Sequence, residues 1–477
     1  MGEHESDFRD PWDRVYLEAL RQGQFSGDRR DLRALEQYLT PEDEQAWAAR
    51  GMAAAKRLLA RSATLAPAVA GAGGMGTRPG WATSGSGPQW EGAVVEADTA
   101  ANAVGTTIYD AQPSSPTWHR DEQGDDRPLD PLIAAYRGIL DRMRLDGDED
   151  SPLLELIGRG GQGVVFRTEC RGSDGFAFPA AVKVFSPERF PTVRSYENAM
   201  RRSARVASLV AAAPRGNVVG VQGFGQRQGV RLMFMDLVDG YDLRFLLSLK
   251  AFERVRRNCP REQWEKIHEV VVTEGPEQPR LFPGVAVSII RDCLIGLSLL
   301  HRLGTVHGDI KPENVMLQRG IGHAEIVDLG SAFEVSDMPS AIIQTPAYAA
   351  PEAIDGGAHT PRSDLASLGY VLVELLAGKQ IFRRDMQPEE LLAAKRSLPQ
   401  RLCEFLPERV AGSWKLRKFC AMLTAPQPER RFASADEADL HPEFGASAFL
   451  QELVKVGLSA VYDSDIRQWL DAVAHSG

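Results

Sequence analysis

The spacing of apolar and polar positions predicts helices at both ends of the chain and strands near its middle. Asp10-Pro11 and Thr40-Pro41 are helix-start signals, and the apolar residues that follow them at helical spacing predict a small helical region over residues 1–60. The same pattern predicts an amphipathic helix over residues 130–147 and a helical extension over residues 441–477. Short runs rich in β-branched residues after position 152 predict strands instead.

Between the first two helical regions, residues 61–129 have no hydrophobic periodicity. Gly, Ala, Ser, Thr and Pro dominate this segment, so it offers too little apolar surface to offset the entropy lost on ordering. We interpret it as a flexible linker. The alternative interpretation is a partner-docking strip that uses Trp81, Trp90 or Trp118.

Composition narrows the class of protein. The 477 residues are 43% hydrophobic and 25% charged, which excludes collagen-like and fully disordered chains. A net charge of −10 argues against a dedicated nucleic-acid binder. The five cysteines are scattered, which argues against a disulfide framework or a zinc site. We find neither a membrane span nor a signal peptide in the sequence and therefore expect a cytoplasmic protein.

Two sequence features suggest phosphate binding. Gly158, Gly160 and Gly163 form a G-x-G-x-x-G pattern, and glycines let backbone N–H groups approach phosphate oxygens closely. The pattern lies between predicted strands, which disfavours a dinucleotide-binding fold, where it would open a helix. Lys183 lies in the apolar strand AAVKVF and needs a charged partner if buried. An edge-strand lysine that reaches solvent is the alternative.

The segment HGDIKPENVML carries the most specific pattern. Asp309 is placed to accept the proton of an attacking hydroxyl, and Asn314, five residues later, to bind a metal ion. Asp328 ends a short apolar strand and precedes a tight turn, which suits a magnesium ligand beside phosphates. A single aspartate of this kind is more often a turn residue, but the ordered set indicates phosphoryl transfer.

Together these motifs resemble the eukaryotic-like Ser/Thr protein kinases, including those of bacteria, over residues 152–440. An A-P-E triplet at residues 350–352, a buried helix carrying Asp364, and Arg430 or Arg431 extend the resemblance. The implied fold is α+β and bilobal, with a small β-rich lobe, a larger mainly helical lobe and helical extensions at both ends. Residues 250–283 are then an insertion in the larger lobe.

The resemblance implies a role for each motif residue. Lys183 would hold the α- and β-phosphates and pair with Glu197, Asp309 would be the catalytic base, and Lys311 would steady the γ-phosphate. Asn314 and Asp328 would hold magnesium, with two ions expected and manganese as an alternative. The Gly-rich loop and further residues would bind ATP: Gly158, Gly160, Gly163, Val165, Ala181, Met235, Asp236, Val238 and Asp242. Thr345 would shape the floor that receives the protein substrate.

One departure from the family pattern concerns regulation. Gly308 replaces the arginine that usually precedes the catalytic aspartate and binds a phosphate on the activation segment. We therefore predict an active Ser/Thr kinase that does not depend on activation-loop phosphorylation. The alternatives are a small-molecule phosphotransferase of the antibiotic-kinase type and a nucleotide-binding pseudokinase scaffold. Residues 1–60 and 441–477 are predicted to bind a regulatory or recruiting partner.

Overall fold

The structure is a computed structural model that describes residues 128–143, 152–339, 344–383 and 385–475. The predicted helical region over residues 1–60 lies outside the described residues, as does nearly all of the predicted linker. The described residues other than 454–458 belong to one compact unit.

A five-stranded antiparallel sheet forms the smaller lobe, with its strands in the order β1-β2-β3-β5-β4. The strands are β1 (Leu153–Gly160), β2 (Gly163–Arg171), β3 (Ala177–Phe185), β4 (Val221–Arg227) and β5 (Val230–Asp236). Strands β1 and β2 form the Gly-rich hairpin, where Gly160 pairs with Gly163 across the turn. A side chain at Gly163 would collide with the carbonyl oxygen of Val184, so the close approach of β3 requires glycine there.

Two helices cover the two faces of this sheet. Helix α1 (Asp130–Arg142) buries Tyr136 and Ile139 in a cluster with alternate residues of β2, β3 and β5. Helix α2 (Val193–Ala212) packs on the other face, and a reciprocal Thr192–Ser195 capping box begins it. Helix α1 thus begins at the residue where the sequence pattern places a helix and ends at Arg142, before the predicted end at residue 147.

The larger lobe is mainly helical. Its helices are α3 (Leu243–Leu246), α4 (Leu249–Asn258), α5 (Arg261–Val270), α6 (Pro283–Arg302), α7 (Pro351–Ile354), α8 (Pro361–Ala377), α9 (Pro388–Phe405), α10 (Glu408–Gly412), α11 (Trp414–Leu423), α12 (Ala435–Leu440), α13 (Ala446–Lys455) and α14 (Asp463–His475). Helix α8 lies at the centre, because every residue from Ser363 to Ala377 is buried. It ends at Gly378, whose φ of 67° is the left-handed conformation that glycine adopts freely.

The larger lobe also contains short strands. They are β6 (Gly240–Asp242), β7 (Val272–Thr273), β8 (Arg280–Leu281), β9 (Thr305–Val306), β10 (Val315–Gln318), β11 (Ala324–Ile326) and β12 (Phe333–Glu334). Strands β11, β10 and β6 form one small sheet, and β12 pairs with β9. These pairings fix the ends of the loops that carry residues 307–314 and 327–331.

Residues 250–283, predicted as an insertion, are folded. They contain most of α4, all of α5 and the β7–β8 hairpin. The C-terminal helix α14 lies against α4 and α5 and buries Trp469 and Leu470. Helix α14 of the predicted C-terminal extension therefore packs on the larger lobe.

Among the described residues, one helix is long and apolar enough to cross a membrane. This helix is α6, and 67% of its most apolar window is buried inside the fold. The same length and composition are found in core helices of soluble proteins, so α6 is weak evidence for a membrane span.

Candidate active site

One face of the small-lobe sheet carries the residues predicted to surround a nucleotide. Ala181 and Lys183 are two residues apart on β3, and their side chains therefore point to the same side. Val165 of β2 pairs with Lys183, and Met235 of β5 pairs with Ala181. Cross-strand partners share a face, so the sheet brings these four side chains together.

Lys183 is buried, with 3% of its surface exposed. Its ammonium group forms an ion pair with Asp328 and donates a hydrogen bond to Gln162 Oε1 at 2.8 Å. Gln162 lies at the tip of the Gly-rich hairpin and also donates to the Ser331 hydroxyl. These contacts link the hairpin, the central strand β3 and the turn after β11.

Asp328 adopts a left-handed backbone conformation, with φ of 65°. Non-glycine residues with positive φ are uncommon and often mark functional sites. Burial alone would raise the pKa of Asp328, but the charge and hydrogen bond of Lys183 and the Gly330 N–H outweigh it and hold the pKa well below its ordinary value. A side chain at Gly330 would collide with Gln162 and Lys183, so this contact requires glycine.

A second cluster surrounds Asp309, which is 8% exposed. Lys311 Nζ lies 2.7 Å from Asp309 Oδ2 and donates to the Thr345 hydroxyl at 3.0 Å. The Thr345 N–H and hydroxyl both donate to Asp309 Oδ1 at 2.9 Å. Asn314 Nδ2 donates to the Asp309 carbonyl oxygen at 2.8 Å. Burial would lower the pKa of Lys311, but the Asp309 carboxylate outweighs it and raises the pKa.

Helix α8 holds the loop that carries Asp309 through hydrogen bonds to Asp364. Asp364 Oδ2 accepts the His307 N–H and Asp364 Oδ1 accepts the Gly308 N–H, both at 2.9 Å. His301 Nε2 lies 2.9 Å from the same carboxylate. Burial would raise the pKa of Asp364, but the His301 hydrogen bond and charge lead the interactions that lower it. The loop backbone is thus fixed to the central helix of the lobe.

The predicted partner of Lys183 has a different contact in this structure. Glu197 of α2 forms an ion pair with Arg201, one turn further along the same helix, at 3.7 Å. Lys183 takes its carboxylate partner from Asp328. The structure therefore does not pair Lys183 with Glu197, and the role of Glu197 remains a prediction.

The segment after β5 carries the residues predicted to bind adenine and ribose. The Asp236 N–H donates to the Gly220 carbonyl at 2.8 Å, and the Asp236 side chain accepts from Gln222. Val238 packs at the edge of the large core. Asp242 caps α3 by accepting the Phe245 N–H at 2.8 Å, and burial raises the pKa of Asp242 to about 6. These residues line the connection between the two lobes.

The A-P-E triplet is anchored as the sequence suggests. Glu352 forms two contacts of 2.7 Å with Arg431, through Nη1 and Nη2. The structure thus selects Arg431 rather than Arg430. A guanidinium and a carboxylate joined by two parallel hydrogen bonds are fixed in orientation as well as in distance.

Sequence reasoning missed several residues around the site. Arg244 of α3 contacts Glu374 Oε1 at 2.7 Å and Glu313 at 3.2 Å. Tyr348 donates to Glu374 Oε2 at 2.5 Å, so this buried network connects the catalytic loop to the substrate-facing segment. Arg205 of α2 pairs with Glu334 and Asp337. A single sequence gives no signal for such contacts between distant segments.

The residues present suit a magnesium ion that is shared with phosphates. Among residues the structure describes, no group of three His, Cys, Asp or Glu side chains forms a protein-only metal site. Magnesium in phosphoryl-transfer sites takes only one or two protein ligands and shares the rest with phosphates and water. The Val327 N–H donates to the Asn314 carbonyl at 2.9 Å. This bond places the backbone just before Asp328 beside the backbone of Asn314. Because Asn314 Nδ2 bonds Asp309, the amide oxygen is the atom left for a metal.

Both clusters belong to a two-lobed α+β fold. A family model described as "Protein kinase domain" matches residues 152–444. The chain therefore belongs to the protein kinase family. This finding confirms the predicted family and the α+β bilobal fold.

Three similar curated proteins are bacterial Ser/Thr protein kinases. PknD of Mycobacterium tuberculosis is 30% identical over 290 residues, covering 60% of this chain and 38% of PknD. PknH of Mycobacterium bovis is 29% identical over 296 residues, covering 60% of this chain and 42% of PknH. PkaB of Streptomyces coelicolor is 30% identical over 236 residues, covering 47% of this chain and 48% of PkaB. The chain thus spans less than half the length of these relatives.

A similar solved structure is the kinase domain of Mycobacterium tuberculosis PknI, crystallised as a mutant. It is 22% identical to this chain, covers 64% of it and 96% of its own length, and has a TM-score of 0.42.

Proposed function

We propose that this chain is an ATP-dependent Ser/Thr protein kinase that transfers the γ-phosphate of ATP to protein hydroxyls. The observation that best supports the proposal is the cluster of Asp309, Lys311 and Thr345, because it joins a proton acceptor, a phosphate-binding cation and the substrate-facing segment. The names of the curated relatives agree with this activity.

The side chains present support each part of the transfer. The hydroxyl oxygen of the substrate forms a bond to the γ-phosphorus while the bond to the β–γ bridging oxygen breaks, and its electron pair leaves with ADP. Asp309 accepts the hydroxyl proton, and Lys311 balances the charge that develops beside it. Asn314 and Asp328 would hold magnesium, or manganese in its place, which neutralises phosphate charge when bound. We expect two ions.

The nucleotide would lie between the small-lobe sheet and the connecting segment. Val165 and Ala181 offer an apolar cover for the adenine ring, with Met235 behind it. The backbone of Asp236 and Val238 is the proposed adenine contact, and Asp242 the proposed ribose contact. The Gly158–Gly163 hairpin would cover the phosphates, and Lys183 would hold their α- and β-oxygens.

A protein substrate is favoured over a small molecule by the segment after the metal-binding turn. Thr345 bonds the catalytic Asp309 directly, and the Glu352–Arg431 pair anchors the following A-P-E triplet. Small-molecule phosphotransferases of the antibiotic-kinase type lack this peptide-binding segment. A pseudokinase scaffold would be expected to lack at least one of Lys183, Asp309, Asn314 and Asp328, and the chain retains all four.

We also propose that activity does not depend on phosphorylation of the activation segment. Gly308 leaves the catalytic loop without the arginine that usually receives that phosphate. Arg205 of α2 instead holds the carboxylates of Glu334 and Asp337 at the start of the segment, with Arg205 Nε 3.0 Å from Glu334 Oε1. The activity of phosphatase-treated protein measures this independence.

Regulation by partners and cellular location stay predictions. We propose that residues 1–60 and 441–477 recruit a regulator or substrate, and that the protein acts in the cytoplasm. The activity of a chain lacking residues 1–60 tests the first proposal, and cell fractionation tests the second.

Substitution of the catalytic base tests the proposed activity directly. We expect Asp309→Ala to lower phosphate transfer to a generic Ser/Thr protein substrate by at least about 100-fold, because general-base catalysis contributes factors of this size. The matched control is Asp239→Ala, since Asp239 is 71% exposed and pairs with Arg319 on the surface. Equal transfer by wild type and Asp309→Ala would contradict the proposal.

A further inference from the structure

The loop between β3 and α2, residues 186–192, lies against the tip of the Gly-rich hairpin. The Ser186 N–H donates to the Gln162 carbonyl at 3.0 Å. The Phe190 N–H closes a turn on Pro187 at 3.0 Å, and the Phe190 ring packs edge-on against Tyr196 with a centroid distance of 5.3 Å. The backbone of this loop is therefore held in place beside the proposed phosphate site.

Helix α1 also holds this loop. Arg137 Nε donates to Glu188 Oε1 at 2.9 Å, and Arg137 Nη2 lies 2.8 Å from the same oxygen. Both side chains are largely exposed, so the pair contributes little stability, but it adds a contact on the solvent side. The next residue along the chain, Arg189, points to the interior.

Arg189 has an unusual environment for an arginine. Its Nη1 atom is buried and has no hydrogen-bond partner among the residues described. Burial lowers the pKa of Arg189, and the carboxylates of Asp328 and Asp309 act against that change. Burial is the largest cause that lowers the pKa of Lys183, and the charge of Arg189 adds to it. The Ser186 N–H bonds the Gln162 carbonyl and the Gln162 side chain bonds Lys183, so the loop that carries Arg189 lies beside the site.

A charged side chain whose buried donor atom has no acceptor is costly. Leaving a buried donor unpaired costs about 1–3 kcal/mol, and more when the group is charged. A bound phosphate group would remove this cost, because its oxygens accept hydrogen bonds from the unused donor. The planar arrangement of guanidinium donors matches the spacing of phosphate oxygens. The position beside Lys183, Asp309 and Asp328 is where the terminal phosphate of ATP would arrive in the proposed reaction.

We propose that Arg189 binds the terminal phosphate of ATP, as a third cationic side chain beside Lys183 and Lys311. This inference rests on the proposed function, since it takes ATP as the substrate. Arg189 would hold the γ-phosphate oxygens while the substrate hydroxyl attacks and ADP departs.

Nucleotide binding by an Arg189 variant tests the proposal without relying on activity. The affinities of the full-length protein for ATP, ADP and adenosine are measured by calorimetry with Mg²⁺ present. In Arg189→Met we expect ATP affinity to fall about tenfold or more, as loss of a charged hydrogen bond predicts. ADP affinity should change less than about twofold, and adenosine affinity should not change, because neither has the terminal phosphate.

Two further variants complete the test. Arg171→Met is the matched control, because Arg171 lies on β2, pairs with Glu169 at 3.0 Å and contacts no proposed site residue among those described. It should leave all three affinities unchanged. Arg189→Lys keeps the positive charge but loses the planar set of guanidinium donors. Its ATP affinity should therefore lie between those of wild type and Arg189→Met.

The thermal unfolding midpoint separates ligand binding from a structural role. Because Arg189 Nη1 has no hydrogen-bond partner in the described part of the chain, we expect the free Arg189→Met protein to unfold at the wild-type temperature or above it. A lower midpoint with unchanged ATP affinity in Arg189→Met and Arg189→Lys would overturn the proposal. Equal losses of ATP and ADP affinity would also overturn it. Failure of the wild type to bind any of the three ligands would instead contradict the proposed function itself.

Discussion

At the scale of single residues, the site depends on buried charges that are paired with one another. Lys183 pairs with Asp328 and Lys311 with Asp309, so each carboxylate predicted to act on phosphate or proton has a cation beside it. Removing one member of a buried pair leaves an uncompensated charge, which is far more costly than the pair itself. The charge of Lys183 outweighs the effect of burial and holds the pKa of Asp328 well below its ordinary value, so this carboxylate is ionised at neutral pH, as a metal ligand requires.

The burial of Asp242 makes the stability of the folded protein depend on pH. Because the pKa of Asp242 is raised from 3.8 to about 6, the folded chain takes up this proton more readily than the unfolded chain. The stabilising contribution of the neutral form is present below the ordinary pKa and is lost as the pH rises through about 6. Between low and high pH, this effect changes the free energy of unfolding by about 3 kcal/mol at most.

We therefore predict that Asp242→Asn stabilises the protein at pH 8 relative to wild type but not at pH 4. Asparagine retains the helix cap of α3 and has no charge to bury. Urea unfolding at both pH values measures the effect, and Asp239→Asn on the neighbouring exposed loop is the control. The same stability difference at both pH values would show that Asp242 does not titrate as described.

The residues that the sequence identifies and those that it misses differ in how they are positioned. Asp309, Lys311 and Asn314 lie within one loop, so their spacing alone predicts that they act together. Glu197 could not be paired reliably with Lys183, because that contact depends on how α2 rotates against the sheet. Arg189 belongs to no motif, and its importance appears only when β3, the hairpin and the metal-binding turn are folded together.

At the scale of elements, the two helices of the small lobe connect the sheet to the catalytic segments. Helix α1 covers the outer face through Tyr136 and Ile139 and contacts the loop that carries Arg189. Helix α2 covers the inner face and reaches the activation segment through Arg205. The sequence pattern predicts where α1 begins, because an amphipathic stripe is a local signal. The contacts of α2 join segments that are far apart in the sequence, so no local pattern predicts them.

The Arg205 contact leads to a prediction about phosphorylation. We expect phosphatase-treated protein, and the variant Ser336→Ala, to retain wild-type activity, because Glu334 and Asp337 already supply negative charge to the activation segment. Arg205→Ala should lower activity several-fold by releasing that segment, whereas Arg201→Ala, which removes contacts with Glu197 and Asn198 within α2, should not. Loss of activity after phosphatase treatment would contradict the prediction.

At the scale of the whole molecule, the fold brings two sets of side chains to one cleft. The sheet of the small lobe presents Lys183, and helix α8 of the large lobe fixes the loop that presents Asp309. The insertion and the C-terminal helix α14 pack together on the large lobe and leave this arrangement intact. We propose that the two sets act together on the terminal phosphate of ATP.

The most direct measurement compares ATP labelled at the γ-phosphate with ATP labelled at the α-phosphate, using the full-length protein, Mg²⁺ and a Ser/Thr protein substrate. We predict that the γ-label alone reaches the substrate, that acid hydrolysis recovers it as phosphoserine or phosphothreonine, and that Asp328→Asn abolishes the transfer. Transfer of the α-label, or no transfer of either label by the wild type, would contradict the account.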